Sequence, residues 1–166
     1  ITRKEIEATM ARVRSQLPDV AWRTTFIVGF PTETDQDFEE LVDFVSEGHF
    51  QHLGIFLYSD EDNIRSSKFG NPIPLSLKEE RKNRLMEIQQ KISREHHQKM
   101  VGSLQQVLVG GFSSETDLLL EGRNQYQGPE VDGVVYINEG NATSAGFHQV
   151  EITEAHEYDL VGKILN

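Results

Sequence analysis

The spacing of apolar residues changes near residue 100, and this change constrains the fold more than any other feature. In the first part, helical stripes with a spacing of three or four alternate with short β-branched and aromatic runs, which is typical of β/α units. After it, short strand-like runs follow one another between turn residues. The 166-residue sequence therefore predicts two domains, an α/β part over residues 1–100 and an all-β, OB-like barrel over residues 101–166.

The first part is predicted to read helix, strand, helix, strand. Thr2 caps a helix over residues 3–17, and Thr34 caps a second helix with Asp37 at the third helical position. The run 22–30 is apolar almost without alternation, so we expect a strand covered on both faces, as in a parallel sheet. Residues 52–58 form the next strand, which we expect to lie parallel to the first.

A long third helix is predicted after a polar loop over residues 59–75, which contains Asp60-Glu61-Asp62. Ser76 is its expected cap and Gly102 its end. Leu85, Ile88 and Ile92 form the apolar stripe. The basic residues of this helix are assigned to the outer, solvated face: Lys78, Arg81, Lys82, Arg84 and Lys91.

Five short strands are predicted after this helix, separated by glycine-containing or polar turns. Five strands in so small a domain favour a closed OB-like barrel. Their expected ranges are 104–109, 116–121, 131–137, 147–153 and 158–165.

Negative charge is concentrated in this barrel. The whole chain has a formal net charge of −11, and residues 101–166 contain two basic residues, Arg123 and Lys163, against ten acidic ones. Phosphate would be repelled, so direct RNA binding by the barrel is disfavoured and a basic protein is the easier partner. An ordinary solvated surface explains the same charge. No apolar run approaches the ~20 residues of a membrane helix, so no membrane partner is expected.

The turn after the first strand is the most specific segment for chemistry. Val28 and Gly29 lie at the carboxyl end of a β/α strand, where such sheets bind ligands, although a plain, well-capped turn fits the same residues. Arg23 lies inside an apolar strand and needs either a structural acid or a ligand carboxylate as partner. Thr24 and Thr25 fit ligand donors or strand fillers equally. The chain has no cysteine, its histidines show no metal-ligand spacing, and residue types alone support no self-contained catalytic centre.

Several segments together resemble the radical S-adenosylmethionine methylthiotransferases. The resemblance begins with Arg23-Thr24-Thr25-Phe26-Ile27-Val28-Gly29-Phe30-Pro31 and continues through Phe56-Leu57-Tyr58-Ser59. The motifs Glu130-Val131-Asp132-Gly133 and Glu157-Tyr158-Asp159-Leu160-Val161-Gly162 are similar to the branch that adds a methylthio group to an aspartate of a small-subunit ribosomal protein. Thr32 stands where this family usually has glycine.

The resemblance implies a fold, cofactors and a site. Residues 1–75 would be the last part of a radical-SAM β/α barrel, and the all-β part would be a TRAM domain that recognises the substrate. S-adenosylmethionine and two 4Fe-4S clusters would be the cofactors, with the clusters held by cysteines that this chain lacks, so the piece alone is expected to be inactive. The implied S-adenosylmethionine contacts are Arg23, Thr25, Ile27, Val28, Gly29, Tyr58 and Ser59.

The resemblance also implies partners and leaves alternatives. A basic small-subunit ribosomal protein, and through it the ribosome, would be the partner in the cytoplasm. A tRNA methylthiotransferase of the sister branch is the second hypothesis, and a non-catalytic RNA-binding or scaffold module is the third. The absence of an initiator methionine favours a piece of a longer chain.

Overall fold

The computed structural model describes residues 1–60, 69–70, 72–142 and 145–165. Helices and strands alternate up to a long third helix, and the remaining elements are strands, as predicted. Part of the predicted polar loop, including Glu61 and Asp62, lies outside the described residues. The elements are α1 (Arg3–Gln16), β1 (Arg23–Val28), α2 (Asp35–Ser46), β2 (His52–Leu57), α3 (Leu75–Gln98), β3 (Leu104–Phe112), β4 (Leu120–Asn124), β5 (Val135–Glu139), β6 (Gly146–Ala155) and β7 (Leu160–Ile164).

The first two strands form a parallel pair in which Arg23 lies opposite His52 and Val28 lies opposite Leu57. Helices α2 and α3 cover one face of this pair and bury an apolar core between them. Val28 and Leu85 are completely buried at the centre of that core. Its other members are Phe38, Val42, Val45, Leu53 and Ile55.

The opposite face of the β1–β2 pair is open, which corrects the expectation that the strand is covered on both sides. Along β1, the residues that point away from the helices are exposed, and Ile27 keeps 58% of its surface. Phe56, its neighbour on β2, keeps 62%. Among the described residues, both helices that pack on the sheet lie on the same side, so the second face has no cover.

The start of α3 also differs from the sequence prediction. The helix begins at Leu75 with Pro74 in the capping position, and no side chain caps it, so Ser76 is not the cap. Arg81 is 3% exposed and does not lie on the solvated face, because Glu33 and Asp35 neutralise its charge. The predicted caps at Thr2 and Thr34 are confirmed, and each forms a capping box, Thr2 with Glu5 and Thr34 with Asp37.

The remaining strands form a closed barrel with the order β3-β4-β5-β7-β6. All neighbouring strands are antiparallel except β5 and β7, which are parallel. Strands β4 and β5 begin at Leu120 and Val135, four residues later than predicted in both cases. The barrel is filled by β-branched and leucine side chains: Val107, Val109, Val135, Ile137, Val150, Ile152, Leu160 and Ile164.

The barrel is joined to the β1–β2 pair and to α3 by polar contacts. Arg23 forms an ion pair with Asp132, and His52 Nε2 lies 2.8 Å from the carbonyl oxygen of Tyr126. Near the end of α3, His97 Nδ1 lies 3.0 Å from the carbonyl oxygen of His156. None of the helices in the described part of the chain is both long enough and apolar enough to cross a membrane.

Candidate functional site

The carboxyl ends of β1 and β2 bring together the predicted residues Val28, Gly29 and Tyr58. The Tyr58 amide donates a hydrogen bond to the Val28 carbonyl over 2.8 Å, and Ser59 follows directly. Gly29 has a φ of +83°, the left-handed conformation that favours glycine. The sequence placed these residues at one sheet edge, and the structure does bring them together.

The open face of the sheet carries two more of the predicted residues. Thr25 and Ile27 point away from the helices, because side chains alternate along a strand. Thr25 is paired in register with Gly54, and Ile27 with Phe56. Ile27 and Phe56 thus form an exposed apolar platform beside the strand ends. Val28 points the other way into the core, so only its backbone is available to a ligand.

Arg23 lies apart from this group, at the opposite end of β1. Asp132 of the barrel accepts its guanidinium hydrogen bond, and the Asp132 side chain is 4% exposed. Of the two partners that the sequence left open, the structure shows the acid. Arg23 also lines a cavity of about 330 Å³ that is bordered by α3 and by barrel residues.

Several backbone groups at the strand ends are already engaged within the chain. The Gly29 amide donates to Glu33 Oε2 over 3.0 Å, and the Tyr58 carbonyl accepts from Lys78 Nζ over 2.8 Å. With its amide bound to the Val28 carbonyl as well, Tyr58 presents chiefly its ring. The ring packs edge-on against Phe30, with a centroid distance of 5.3 Å, and Phe69 completes this aromatic cluster.

Glu33, Lys78 and Arg81 are the residues at this site that sequence reasoning missed. The signal was present, since Lys78, Arg81 and Leu85 have spacings of three and four and so continue the apolar stripe toward the start of α3. The sequence prediction placed Lys78 and Arg81 on the solvated face because both are charged. In the structure, a Cβ on Gly29 would collide with the Lys78 side chain, so the glycine makes room for this lysine.

Within the described part of the chain, the histidines belong to no metal-binding cluster. No group of three or more potential metal-ligating side chains occurs within residues 1–60, 69–70, 72–142 and 145–165. Burial lowers the pKa of His52, and the positive charge of Arg23 lowers it further, whereas the bond to the Tyr126 carbonyl opposes this shift. Burial likewise lowers the pKa of His96. Both rings lie where the two parts of the chain meet, away from the strand ends.

This arrangement is suited to binding. An apolar platform, a turn with a fixed backbone and an aromatic cluster adjoin one another, and the charged groups nearby are committed to internal partners. The platform of Ile27 and Phe56 is an exposed apolar surface on which a flat ring could pack. At the strand ends the exposed apolar side chains are free to contact a ligand, whereas the nearby charged side chains Glu33, Lys78 and Arg81 are bound within the chain.

Comparisons with known proteins place the chain in a class and then in a family. The TRAM domain model matches residues 101–165, which contain the closed barrel, so the chain is a TRAM-domain protein. The chain is 49% identical over 165 residues to the ribosomal protein uS12 methylthiotransferase RimO of Bdellovibrio bacteriovorus, which covers 99% of the chain and 36% of that relative. The RimO proteins of Desulfotalea psychrophila and Geobacter sulfurreducens are 44% and 40% identical, and each match covers 99% of the chain and 37% of the relative.

The chain belongs to the RimO methylthiotransferase family. It spans little more than a third of the length of the curated relatives that it matches. The resemblance found in the sequence motifs is therefore confirmed at the level of the family.

Proposed function

We propose that this chain is the C-terminal portion of a radical-SAM enzyme that adds a methylthio group to the β-carbon of an aspartate in ribosomal protein uS12. Residues 1–100 would supply the last part of the β/α barrel and the linking helix, and residues 101–166 the substrate-binding TRAM domain. The observation that carries this proposal is the open face of a parallel strand pair, in a chain that matches RimO proteins over 99% of its length.

The open face supports the cofactor assignment. Parallel strands are normally covered on both faces, and in a β/α barrel the face opposite the helices lines the interior. Thr25 and Ile27 lie on that face, while Val28 and Gly29 end the strand, next to Tyr58 and Ser59. We propose that these residues contact S-adenosylmethionine, with the adenine ring against Ile27. Arg23 would act in the cofactor site only after release from Asp132, so its first role is to join the two domains.

The cofactor supplies chemistry that the side chains of this chain do not. When bound, S-adenosylmethionine supplies the radical that activates the substrate carbon. Two 4Fe-4S clusters complete the proposed enzyme, and their cysteine ligands would come from outside this chain, which has none. The part of this chain is to bind and orient the adenosine and to exclude water from one side of it.

The charge of the barrel supports a basic protein substrate. Glu115, Glu121 and Asp159 act together on Tyr136, whose pKa is raised first by burial and then by these negative charges. Glu115 is exposed and Glu121 half-buried. Such a field attracts a basic ribosomal protein and repels phosphate. The cytoplasm, where ribosomal proteins meet their modifying enzymes, is the proposed compartment.

A direct test uses the full-length enzyme that contains this chain, with its clusters reconstituted. Incubation with S-adenosylmethionine, a reductant, a sulfur source and purified uS12 should place a methylthio group on one aspartate, detected by peptide mass spectrometry. In parallel, uS12 and tRNA should compete for the enzyme at low and high salt. Modification of tRNA in place of uS12 would overturn the proposal in favour of the sister branch, and binding of RNA without any modification would favour a scaffold.

A further inference from the structure

Lys78 of α3 contacts both strand ends at once. Its Nζ donates a hydrogen bond to the Tyr58 carbonyl over 2.8 Å and lies 5.3 Å from the centroid of the Tyr58 ring. Its aliphatic stem fills the space where a side chain on Gly29 would lie. A single side chain from the linking helix therefore joins the end of β1 to the end of β2.

A second set of contacts fixes the turn after β1 from the same helix. Arg81, three residues after Lys78, donates a hydrogen bond to Glu33 Oε1. The other carboxylate oxygen of Glu33 accepts the Gly29 amide hydrogen bond over 3.0 Å. The Arg81 side chain is 4% exposed and that of Glu33 is 12% exposed, so this pair is shielded from water and its geometry is held firmly.

We infer that Lys78 is a positioning residue for the cofactor, a role that rests on the proposed function of the strand ends. The hydrogen bond from Nζ sets the direction of the Tyr58 carbonyl, and the stem sets the distance between Gly29 and the helix. Together they hold the Tyr58 ring and the end of β1 at the separation in which adenosine fits against the Ile27 side of the sheet. Lys78 acts through Tyr58 and Gly29 and makes no contact with the reacting atoms.

The shape of the side chain matters as well as its charge. In Lys78→Met, the stem that packs on Gly29 is largely kept and the hydrogen bond to the Tyr58 carbonyl is lost. In Lys78→Arg, a stem and a donor are both kept. Lys91→Met is the matched control, because Lys91 is an exposed lysine of the same helix that forms no ion pair among the described residues.

The test measures equilibrium binding in the full-length enzyme that contains this chain, with its clusters oxidised so that no turnover occurs. The probe is S-adenosylmethionine, and its binding is measured by isothermal titration calorimetry. Misplacement of the Tyr58 ring and the end of β1 that weakens binding by about as much as one hydrogen bond predicts a dissociation constant about fivefold higher for Lys78→Met. Lys78→Arg should restore binding to within about twofold of the wild type, and Lys91→Met should leave it unchanged.

Affinity for uS12, measured on the same samples, separates positioning from general damage. Unchanged uS12 affinity with weakened cofactor affinity supports the inference. Equal S-adenosylmethionine affinity for wild type and Lys78→Met overturns it, and so does a parallel loss of both affinities. If Lys78→Met does not fold, the pair Lys78→Gln and Lys78→Arg is judged by the same rule. A wild-type enzyme that fails to bind S-adenosylmethionine would instead refute the proposed function itself.

Discussion

Arg23 on β1 forms an ion pair with Asp132 of the barrel, 109 residues further along the chain. Asp132 also accepts the Gly128 amide hydrogen bond over 2.7 Å and lies 2.9 Å from His52 Nδ1. One carboxylate with 4% of its side chain exposed thus joins both strands of the parallel pair to the barrel. Its contacts hold the candidate cofactor site in a fixed position relative to the TRAM domain.

Replacement of this carboxylate should therefore destabilise the junction. In Asp132→Asn, the volume is kept, but Arg23 and His52 face an amide in place of a negative charge. Because Asp132 is buried while Arg23 is partly exposed, we expect a loss of about 2 kcal/mol in the free energy of unfolding. Urea denaturation followed by the fluorescence of Trp22, the only tryptophan, measures it.

The matched control is Glu151→Gln, which removes the partner of Lys163 on the barrel surface. Both side chains of that pair are about one-third exposed, so the expected loss is below about 1 kcal/mol. Equal losses for the two variants would show that Asp132 contributes no more than a surface carboxylate.

The start of α2 gives a second prediction, which concerns pH. Thr34 Oγ1 accepts the Asp37 amide hydrogen bond over 3.1 Å, and the Asp37 carboxylate accepts from the Thr34 hydroxyl and amide. The bond from the Thr34 hydroxyl, followed by that from its amide, lowers the pKa of Asp37. A carboxyl group with a lowered pKa in the folded state stabilises the fold fully above its unfolded pKa of about 4, and this contribution is lost as the pH falls from there through the lowered folded pKa.

Thr34→Ala should remove the cap and raise the pKa of Asp37 toward its ordinary value, because the hydroxyl donor is lost. The expected loss of helix-cap stability near pH 7 is about 1 kcal/mol, and the gap to the wild type should narrow below pH 4. NMR titration of the Asp37 carboxyl carbon and urea denaturation measure the two effects. Ser76→Ala is the control and should cost little, since no side chain caps α3. A larger loss for Ser76→Ala would contradict the assignment of both caps.

The contrast between these two caps shows what local sequence patterns could predict. Thr34 and Asp37 are three residues apart and form hydrogen bonds with each other, so the local sequence pattern was sufficient to predict this cap. Ser76 and Glu79 have the same spacing, but α3 begins at Leu75 with Pro74 as its N-cap, and the Pro74 carbonyl accepts hydrogen bonds from the Leu77 and Lys78 amides. The order of elements, the parallel pair and the five-stranded barrel were predictable for the same reason, since each depends on periodicity and turns.

Features that depend on distant partners were not predictable in this way. Arg81 is buried because Glu33 and Asp35, which lie over 40 residues earlier, surround its guanidinium. The strand ends at Val28 and Tyr58 were correctly expected to meet. The hydrogen bonds from the Gly29 amide to Glu33 and from Lys78 to the Tyr58 carbonyl were not expected. A charged residue in sequence gives no sign of the acid or carbonyl that will meet it. The role of the candidate residues in cofactor binding stays a prediction.

A third prediction concerns the acidic face around Tyr136. Glu115→Gln combined with Glu121→Gln removes two negative charges that act at this tyrosine. If uS12 approaches this face, its affinity should fall about three- to tenfold at low salt, and the difference should shrink at high salt because ions screen exposed charges. Fluorescence anisotropy with labelled uS12 measures the affinity in the full-length enzyme that contains this chain.

A matched double variant controls for net charge alone. The double variant Glu79→Gln with Glu87→Gln also removes two negative charges, but from exposed positions on α3. We expect the barrel variant to lose clearly more affinity than this helix variant. Identical losses would mean that the overall charge of the protein, and not the face around Tyr136, attracts the substrate.

The last prediction compares two glycines with the same backbone conformation. Gly29 has a φ of +83° and Gly48 a φ of +72°, so alanine is strained by a similar amount, about 1 kcal/mol, at either position. A Cβ at Gly48 would meet nothing within 4 Å, whereas a Cβ at Gly29 would collide with the Lys78 stem. Gly29→Ala should therefore cost about 1–3 kcal/mol more than Gly48→Ala in urea denaturation.

The source of that excess can be assigned with a double-mutant cycle. If contact with Lys78 causes this excess, Gly29→Ala should cost about as much as Gly48→Ala once Lys78 is replaced by alanine. The cost of Gly48→Ala itself should not change with Lys78→Ala, because residues in contact are coupled and distant ones are not. A coupling of about 1 kcal/mol or more between positions 29 and 78 is expected. Additive effects at these positions would show that the strand end requires glycine for its backbone alone, and that the lysine stem does not hold β1 in place.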